Sequence, residues 1–174
     1  ELKWIQPGYG PTVATEPIGG GTDGDIHSIY GSWFPEMYIA GDFTMLDGLS
    51  CLNVGVYEND QLSCVGGGVE GVIYNVWANS TDVYVFGNIE NGGNTYPIAV
   101  YDGSNWNYVD IPSRPDPNCS YGQQGNMPVL YEVAIDHPTI PGRQEIWQYH
   151  SSNGWDKVAE VSGTIYAMGG HIYD

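Results

Sequence analysis

The four histidines are the residues best suited to metal binding or proton transfer, but their spacing supports neither role. His27, His137, His150 and His171 lie far apart, and no His-x-His, His-x-x-x-His or Cys-x-x-Cys pattern occurs. A zinc site needs ligands grouped at such spacings. There is also no Gly-x-Ser-x-Gly nucleophile elbow and no glycine-rich phosphate loop. We therefore predict no catalytic residue, no metal and no cofactor, and hence no enzyme.

Acidic residues dominate the charge of the chain. The four basic residues, Lys3, Arg114, Arg143 and Lys157, stand against 21 acidic ones, which gives a net charge of −17. Nucleic acid and anionic lipid both require a basic surface, so we expect neither as a partner. No apolar run is long enough for membrane insertion. Residues 22–25 (Thr-Asp-Gly-Asp) offer oxygen ligands for Ca²⁺ but lack the spacing of a full calcium loop. The simpler interpretation is that acidity keeps a surface rich in Gly and Tyr soluble.

Two N-glycosylation sequons, at Asn79 and Asn118, indicate a secretory route. We predict glycosylation at both positions and a secreted, extracellular or cell-surface location. The sequence begins at Glu1 without Met or a signal peptide, as in a processed mature protein or a fragment.

A repeated pattern of alternating apolar residues defines the elements that position these groups. Residues 37–43 and 83–89 match at a separation of 46 residues, and 53–57 and 97–101 match at a separation of 44. Such alternation indicates strands with one buried face, and 25 glycines and 11 prolines provide the turns between them. The matches predict strands at 37–41, 53–57, 61–65, 72–76, 83–87, 97–101, 106–109, 145–149 and 155–159.

The chain is therefore predicted to be an all-β domain of degenerate four-strand repeats. The units fall at about 24–66, 71–110 and 127–160, with orphan terminal strands at 2–5 and 163–173. The third unit is the most diverged. Residues 7–24 and 110–128, rich in Gly and Pro, are predicted to be linkers.

The run 83–106, which reads Val-Tyr-Val-Phe-Gly-Asn and then Ile-Ala-Val-Tyr-Asp-Gly before Trp106, resembles kelch-like β-propeller repeats. It is most similar to the extracellular repeats of fungal bud-site cortical marker proteins. The resemblance implies propeller-type blades and a cell-surface setting. Propellers close with four to eight four-stranded blades, whereas this chain has about three units.

The cysteines are assigned from the predicted hairpin that turns at Asn59 and Asp60. Cys51 stands at the entry to one strand and Cys64 near the end of its partner, so the turn brings both to the same end of the hairpin. We predict a Cys51–Cys64 disulfide. Cys119 is then unpaired, or linked to another chain or a ligand.

The incomplete ends favour a structural or adhesive module that associates head to tail, because unpaired strand edges bind strands of other chains. A neighbouring chain would complete the terminal strands and form a glycosylated surface fibril or coat. The predicted assembly residues are Leu2, Trp4, Ile5, Ile165, Tyr166 and Ile172. The alternative is a carbohydrate-binding, lectin-like propeller fragment in which exposed Trp and Tyr stack on glycans. A third hypothesis is a glycan-active enzyme with paired carboxylates.

Overall fold

The protein is all-β. The computed structural model describes residues 3–5, 15–31, 36–111, 118–124, 129–150 and 152–166. These residues form the strands β1 (Lys3–Ile5), β2 (Thr15–Pro17), β3 (Asp25–Tyr30), β4 (Met37–Asp42), β5 (Met45–Leu46), β6 (Leu49–Ser50), β7 (Val54–Glu58), β8 (Gln61–Cys64), β9 (Glu70–Ala78), β10 (Val83–Asn91), β11 (Asn94–Tyr101), β12 (Trp106–Val109), β13 (Cys119–Gln124), β14 (Val129–Asp136), β15 (Arg143–His150) and β16 (Gly154–Ser162). Within these ranges no helix has the length and apolar character needed to cross a bilayer.

Three four-stranded antiparallel sheets form the body of the structure. Blade 1 has the order β3-β4-β7-β8, blade 2 the order β9-β10-β11-β12, and blade 3 the order β13-β14-β15-β16. Consecutive strands pair in each blade, as the repeat predicts, and short β5 and β6 form a separate pair in the loop between β4 and β7. The predicted four-strand repeat is thus confirmed.

A bulge in the first strand of every blade shows that the three units share one geometry. In blade 1 Ile26 pairs with Gly41 and Ser28 with Ala40, which leaves His27 as the extra residue. The same irregularity leaves Tyr74 unpaired in blade 2 and Ser120 unpaired in blade 3. A bulge of this kind bends the strand and redirects the extra side chain.

Blade 3 differs from the sequence-based interpretation at its first strand. Cys119–Gln124 pairs with β14, although residues 110–128 were predicted to be a linker and the unit to begin near 127. The apolar start common to the other first strands is missing here, and prolines flank the segment. Gly122 lies in this strand because a Cβ there would collide with the ring of Phe86 in blade 2. Packing against blade 2 therefore determines the strand more than local sequence does.

The two ends of the chain also differ from expectation. Lys3–Ile5 is a strand, but it pairs with Thr15–Pro17 in a two-stranded sheet instead of standing alone. Residues 163–166 are not part of a strand, although a terminal strand was predicted at 163–173. Residues 167–173 lie outside the described ranges.

The core lies between the blades. One cluster joins blades 1 and 2 through buried residues such as Ala40, Val54, Ile73 and Val85. Another joins blades 2 and 3, and its fully buried members include Phe86, Ile98, Val133 and Ile135. On the opposite side of blade 1, Ile18 packs with Ile39, Phe43 and Leu46. The blades thus stack face to face.

Candidate binding surfaces

A row of aromatic rings crosses all three blades. It begins with Tyr30 in blade 1 and Trp77 in blade 2, whose ring centroids are 5.8 Å apart. It continues through Trp77–Tyr84 at 5.2 Å, Tyr84–Tyr131 at 5.8 Å, Tyr131–Tyr149 at 5.5 Å and Tyr149–Trp155 at 5.3 Å. These spacings lie in the range where aromatic pairs attract one another.

The outer end of this row forms the wall of an aromatic cleft between blades 2 and 3. The cleft has a volume of about 630 Å³ and is lined by Tyr108, Val109 and Asp110 from blade 2 and by Tyr131, Trp147, Tyr149, Asn153, Gly154 and Trp155 from blade 3. The inner strands of the two blades pack closely through the core cluster. The cleft lies farther out, between the fourth strand of blade 2 and the outer strands of blade 3.

Strand register places the aromatic side chains of blade 3 together. Tyr131 pairs directly with Tyr149, which pairs directly with Trp155, so the three rings share one face of the sheet. The indole Nε1 of Trp155 donates to the carbonyl oxygen of Asp110 across 2.8 Å and ties the wall to blade 2. Burial, and then the neighbouring Tyr84 and Tyr149, raise the pKa of Tyr131 to about 12. Its phenol therefore remains a neutral hydrogen-bonding group at physiological pH.

The equivalent position between blades 1 and 2 is filled differently. Tyr101 pairs with Trp106 as Tyr149 pairs with Trp155, and their rings are 5.2 Å apart. Here Gly66 lies against both rings, and a Cβ at this position would lie 2.9 Å from the Nε1 atom of Trp106. The glycine lets the two blades approach closely, and the cavity nearby measures about 310 Å³.

A charged cluster on blade 3 is the one grouping of possible metal ligands within the described residues. It contains His137, Glu145 and Glu160. The Nδ1 atom of His137 accepts hydrogen bonds from the backbone N–H groups of Thr139 and Ile140, so the proton of the neutral ring lies on Nε2. Nε2 faces Glu145 and Glu160 at 3.9 and 3.8 Å. A protonated Nε2 faces these carboxylates with its N–H and is not a metal ligand.

Basic residues balance the two carboxylates of this cluster. Lys157 Nζ lies 3.3 Å from Glu145 and 2.6 Å from Glu160, and Arg143 lies 3.5 Å from Glu160. The hydrogen bond and charge of Lys157 lower the pKa of Glu160. The cluster is therefore a set of ion pairs that joins β15 and β16.

The acidic loop at residues 22–25, considered above for Ca²⁺, serves a structural purpose. Asp23 accepts hydrogen bonds from the backbone N–H groups of Thr44 and Met45 and from the Thr44 hydroxyl. The hydroxyl contribution is the largest of those that lower the pKa of Asp23. Its carboxylate anchors the loop after β4.

The cysteines follow the prediction. Cys51 and Cys64 form a disulfide with a Cα–Cα separation of 5.4 Å, and the turn residues Asn59 and Asp60 both have positive φ, as a tight hairpin requires. Cys119 is a free, buried thiol, and burial raises its pKa to about 12. A disulfide of this kind is typical of a non-reducing compartment.

The two sequons differ in local geometry. The Oδ1 atom of half-buried Asn79 accepts hydrogen bonds from the N–H and hydroxyl groups of Thr81, and its Nδ2 lies 3.4 Å from the Tyr84 hydroxyl. Exposed Asn118 donates to Asp136 and accepts from Asn88. Neither asparagine is in the core, and glycosylation at both stays a prediction.

The structure describes four of the six predicted assembly residues, and assembly through them stays a prediction. Trp4 and Ile5 lie in β1, whereas Leu2 and Ile172 lie outside the described ranges. Tyr166 is 82% exposed. Ile165 is held on blade 3, where its N–H donates to the side-chain oxygen of Gln144 across 2.7 Å.

The sequence indicates exposed Trp and Tyr as candidates for sugar binding but does not locate the cleft. The available signal was a tyrosine near the end of the third strand followed by a tryptophan at the start of the fourth, as in Tyr101 with Trp106 and Tyr149 with Trp155. The distance between neighbouring blades cannot be predicted from the sequence.

Antiparallel four-stranded sheets that stack face to face, with their first strands adjacent, define a β-propeller-type repeat protein. The family model of the Rax2 C-terminal beta propeller domain matches residues 12–167. The chain belongs to this family, which confirms the resemblance to propeller repeats of fungal bud-site markers. Among curated proteins it is similar to "Polarized growth protein L1" of Phoma sp. (strain ATCC 20986 / MF5453), at 29% identity over 80 residues. That match covers 44% of this chain and 6% of the Phoma protein. No solved structure matches the chain.

Proposed function

We propose that this chain is a non-catalytic structural module of the cell surface that associates head to tail through a fourth blade shared between two copies. The observation that carries the proposal is the position of Ile165. The bulge residue His27 of blade 1 donates through Nδ1 to the carbonyl oxygen of Ile73, the residue before the bulge of blade 2, across 2.8 Å. The bulge residue Ser120 of blade 3 lies 3.0 Å from the carbonyl oxygen of Ile165.

This correspondence supports the proposal that residues 163–166 begin a fourth blade. Gly163 and Ile165 match Gly71 and Ile73 in the sequence of the second unit. Within the described residues, however, no strand pairs with this segment. The N–H of Gly163 and both backbone groups of Ile165 already bond to blade 3, so a strand from elsewhere would pair with the backbone groups of Thr164 and Tyr166.

The N-terminal sheet supplies the complementary half. In blades 1 and 2 the third and fourth strands form a hairpin, and the fourth strand immediately precedes the first strand of the next blade. The pair β1–β2 immediately precedes β3 in the same way, so β1 and β2 correspond to the third and fourth strands of a blade.

In the part of the chain that the structure describes, β1 and β2 pair only with each other. The two halves of the fourth blade therefore do not meet there. Supplying one half from a neighbour pairs both sets of strand edges. Such a contact is heterologous and generates a filament or a ring. At a net charge of −17, association through a short edge is strongest where salt screens the repulsion.

The disulfide and the two sequons support an extracellular, glycosylated location. Membership in a family named for the C-terminal propeller of Rax2, and the similarity to a protein named for polarized growth, support a structural role at sites of growth.

Peptide-resolved hydrogen exchange at several protein concentrations tests this proposal. Association predicts that the amides of residues 3–5 and 163–166 become protected as concentration rises, while those of β10 and β11 do not change. Replacing both Trp4 and Ile5 with Ser should remove the concentration dependence at 163–166. Protection that is independent of concentration at both segments would show closure within one chain and refute association.

Carbohydrate binding is a second candidate function, favoured by the aromatic cleft. A glycan-active enzyme is the third hypothesis from the sequence. Its paired carboxylates would have to flank a binding cleft, and within the described chain Asp110 is the carboxylate that lines the aromatic cleft.

A further inference from the structure

We propose that the aromatic cleft between blades 2 and 3 binds a neutral oligosaccharide. The proposal concerns a single chain and does not depend on head-to-tail association.

The walls provide flat stacking surfaces for sugar rings. Tyr131 and Tyr149 lie nearly parallel, with an interplanar angle of 24°, and Trp155 continues the row at 5.3 Å from Tyr149 with its ring tilted by 58°. Hydrogen bonding between Trp155 and Asp110 fixes the indole before any ligand arrives. A preformed surface of this kind loses little conformational entropy on binding.

Hydrogen bonding also fits a ligand rich in hydroxyl groups. Besides its tyrosines, the cleft is lined by Asp110 and Asn153, which add carboxylate and amide groups. Sugar hydroxyl groups can donate hydrogen bonds to the carboxylate of Asp110, and they can both donate to and accept from the amide of Asn153. A few polar groups within a largely aromatic wall are typical of sites that bind small molecules.

The charge of the cleft selects against anionic ligands. No Lys or Arg is among its lining residues, and Asp110 contributes a negative charge. A phosphate, sulfate or uronic acid would be repelled by this carboxylate and by the overall charge of −17. Neutral hexose or N-acetylhexosamine units carry no such penalty.

The shape of the cleft favours a chain of sugar units over a compact ligand. Its volume of about 630 Å³ lies within the usual range for ligand sites. The aromatic surface is elongated, because it follows one row from Tyr131 in β14 to Trp155 in β16. A small cation held by the aromatic rings would use only one end of this surface.

The test is isothermal titration calorimetry of the full chain, after enzymatic removal of any N-glycans, with laminaripentaose, chitopentaose and mannopentaose. We expect at least one to bind and to shift the tryptophan fluorescence. The variant Tyr149→Ala should bind about tenfold more weakly, which corresponds to a loss of about 1.4 kcal/mol of binding free energy. Tyr57→Ala is the matched control, because Tyr57 pairs with Leu62 in blade 1 as Tyr149 pairs with Trp155 in blade 3.

Thermal unfolding of both variants identifies any loss of fold, and Trp155→Phe provides a second, milder change in the same wall. Binding by wild type and Tyr57→Ala, with loss in Tyr149→Ala and weakening in Trp155→Phe, supports the proposal. Absence of binding to all three sugars would overturn it, as would equal affinity in Tyr149→Ala. Competition by tetramethylammonium chloride, with no effect of a matched sodium chloride control, would instead assign the cleft to a cation.

Discussion

The hydroxyl of Ser120 lies 3.0 Å from the carbonyl oxygen of Ile165, in the relationship that His27 has with the carbonyl oxygen of Ile73. Both Ser120 and His27 are bulge residues in the first strand of a blade. Blade 3 therefore contacts the segment around Ile165 in the way that blade 1 contacts the first strand of blade 2.

Replacing Ser120 with Ala should loosen this segment. The hydroxyl also lies 3.0 Å from the side-chain oxygen of Gln144, which accepts from the N–H of Ile165. We expect faster hydrogen exchange at Ile165 in the variant and unchanged exchange in β10. Ser63→Ala is the control, because Ser63 is an exposed strand residue in blade 1. Equal exchange at Ile165 in both variants would show that Ser120 does not hold the segment.

Gly41→Ala and Gly87→Ala should each destabilise the protein by about 1–3 kcal/mol, the usual cost of overpacking. Each glycine faces the bulged first strand, where a Cβ would collide with the carbonyl oxygen of Asp25 or Val72 respectively. Gly31→Ala is the control, because a Cβ at Gly31 would lie 3.7 Å from its nearest neighbour. Urea unfolding measures the three free energies. A loss in Gly31→Ala as large as in the other two would contradict this account.

Removing the disulfide by replacing Cys51 and Cys64 with Ala should lower the free energy of unfolding by about 2–3 kcal/mol, as expected for so short a loop. The two cysteines are 13 residues apart. Denaturant unfolding of the double variant measures the change, and equal stability with and without the bond would contradict it.

The buried thiol of Cys119 should be unreactive in the folded protein. Its side chain is almost fully buried, and its pKa, raised to about 12 by burial, keeps it protonated. Iodoacetamide should modify Cys119 only after the protein is denatured. Rapid alkylation under native conditions would be inconsistent with this burial.

The turn between β11 and β12 should weaken in acid. Asp102 accepts hydrogen bonds from the N–H groups of Ser104 and Asn105 and from the Asn107 side chain. These bonds, led by that of Asn105, lower its pKa below the ordinary 3.8. A carboxylate with a lowered folded-state pKa stabilises fully above its ordinary pKa and loses that effect as pH falls through the folded value.

Comparing wild type with Asp102→Asn isolates this effect from the other carboxylates. The difference in melting temperature between the two proteins should be constant between about pH 5 and 7, because Asp102 is then ionised in both the folded and the unfolded state. It should shrink below about pH 4. A difference that is independent of pH down to about 2 would mean that the Asp102 charge has no part in the turn.

The sequence predicts blades 1 and 2 well because local pattern and tertiary contacts agree there. Alternation locates β4, β7 and β10, and Asn59 and Asp60 mark a hairpin turn. It fails at Cys119–Gln124, where contacts with blade 2 impose a strand on a segment without the repeat pattern. It fails also at Asn53, which was predicted to begin a strand. Asn53 instead adopts positive φ and bonds to Val69 and Gly71 at the start of blade 2.

The aromatic cleft could not be located from sequence for a related reason. Tyr149 and Trp155 are visible as repeat residues, but the width of the gap beside them depends on the residue that the neighbouring blade presents. Gly66 permits close approach between blades 1 and 2, whereas Asp110 lines an open gap between blades 2 and 3. The repeat pattern predicts neither the spacing between blades 1 and 2 nor that between blades 2 and 3.

The fourth blade shared between two copies is tested most directly by sedimentation velocity across the micromolar range. The account predicts species larger than the monomer that grow with concentration. Ile165→Pro, which removes the N–H that donates to Gln144, should sediment as a monomer, whereas Leu49→Ser, which removes an exposed apolar side chain from the β5–β6 pair, should behave as wild type. A wild-type chain that remains monomeric at every concentration, or polymers that persist in Ile165→Pro, would contradict assembly through this blade.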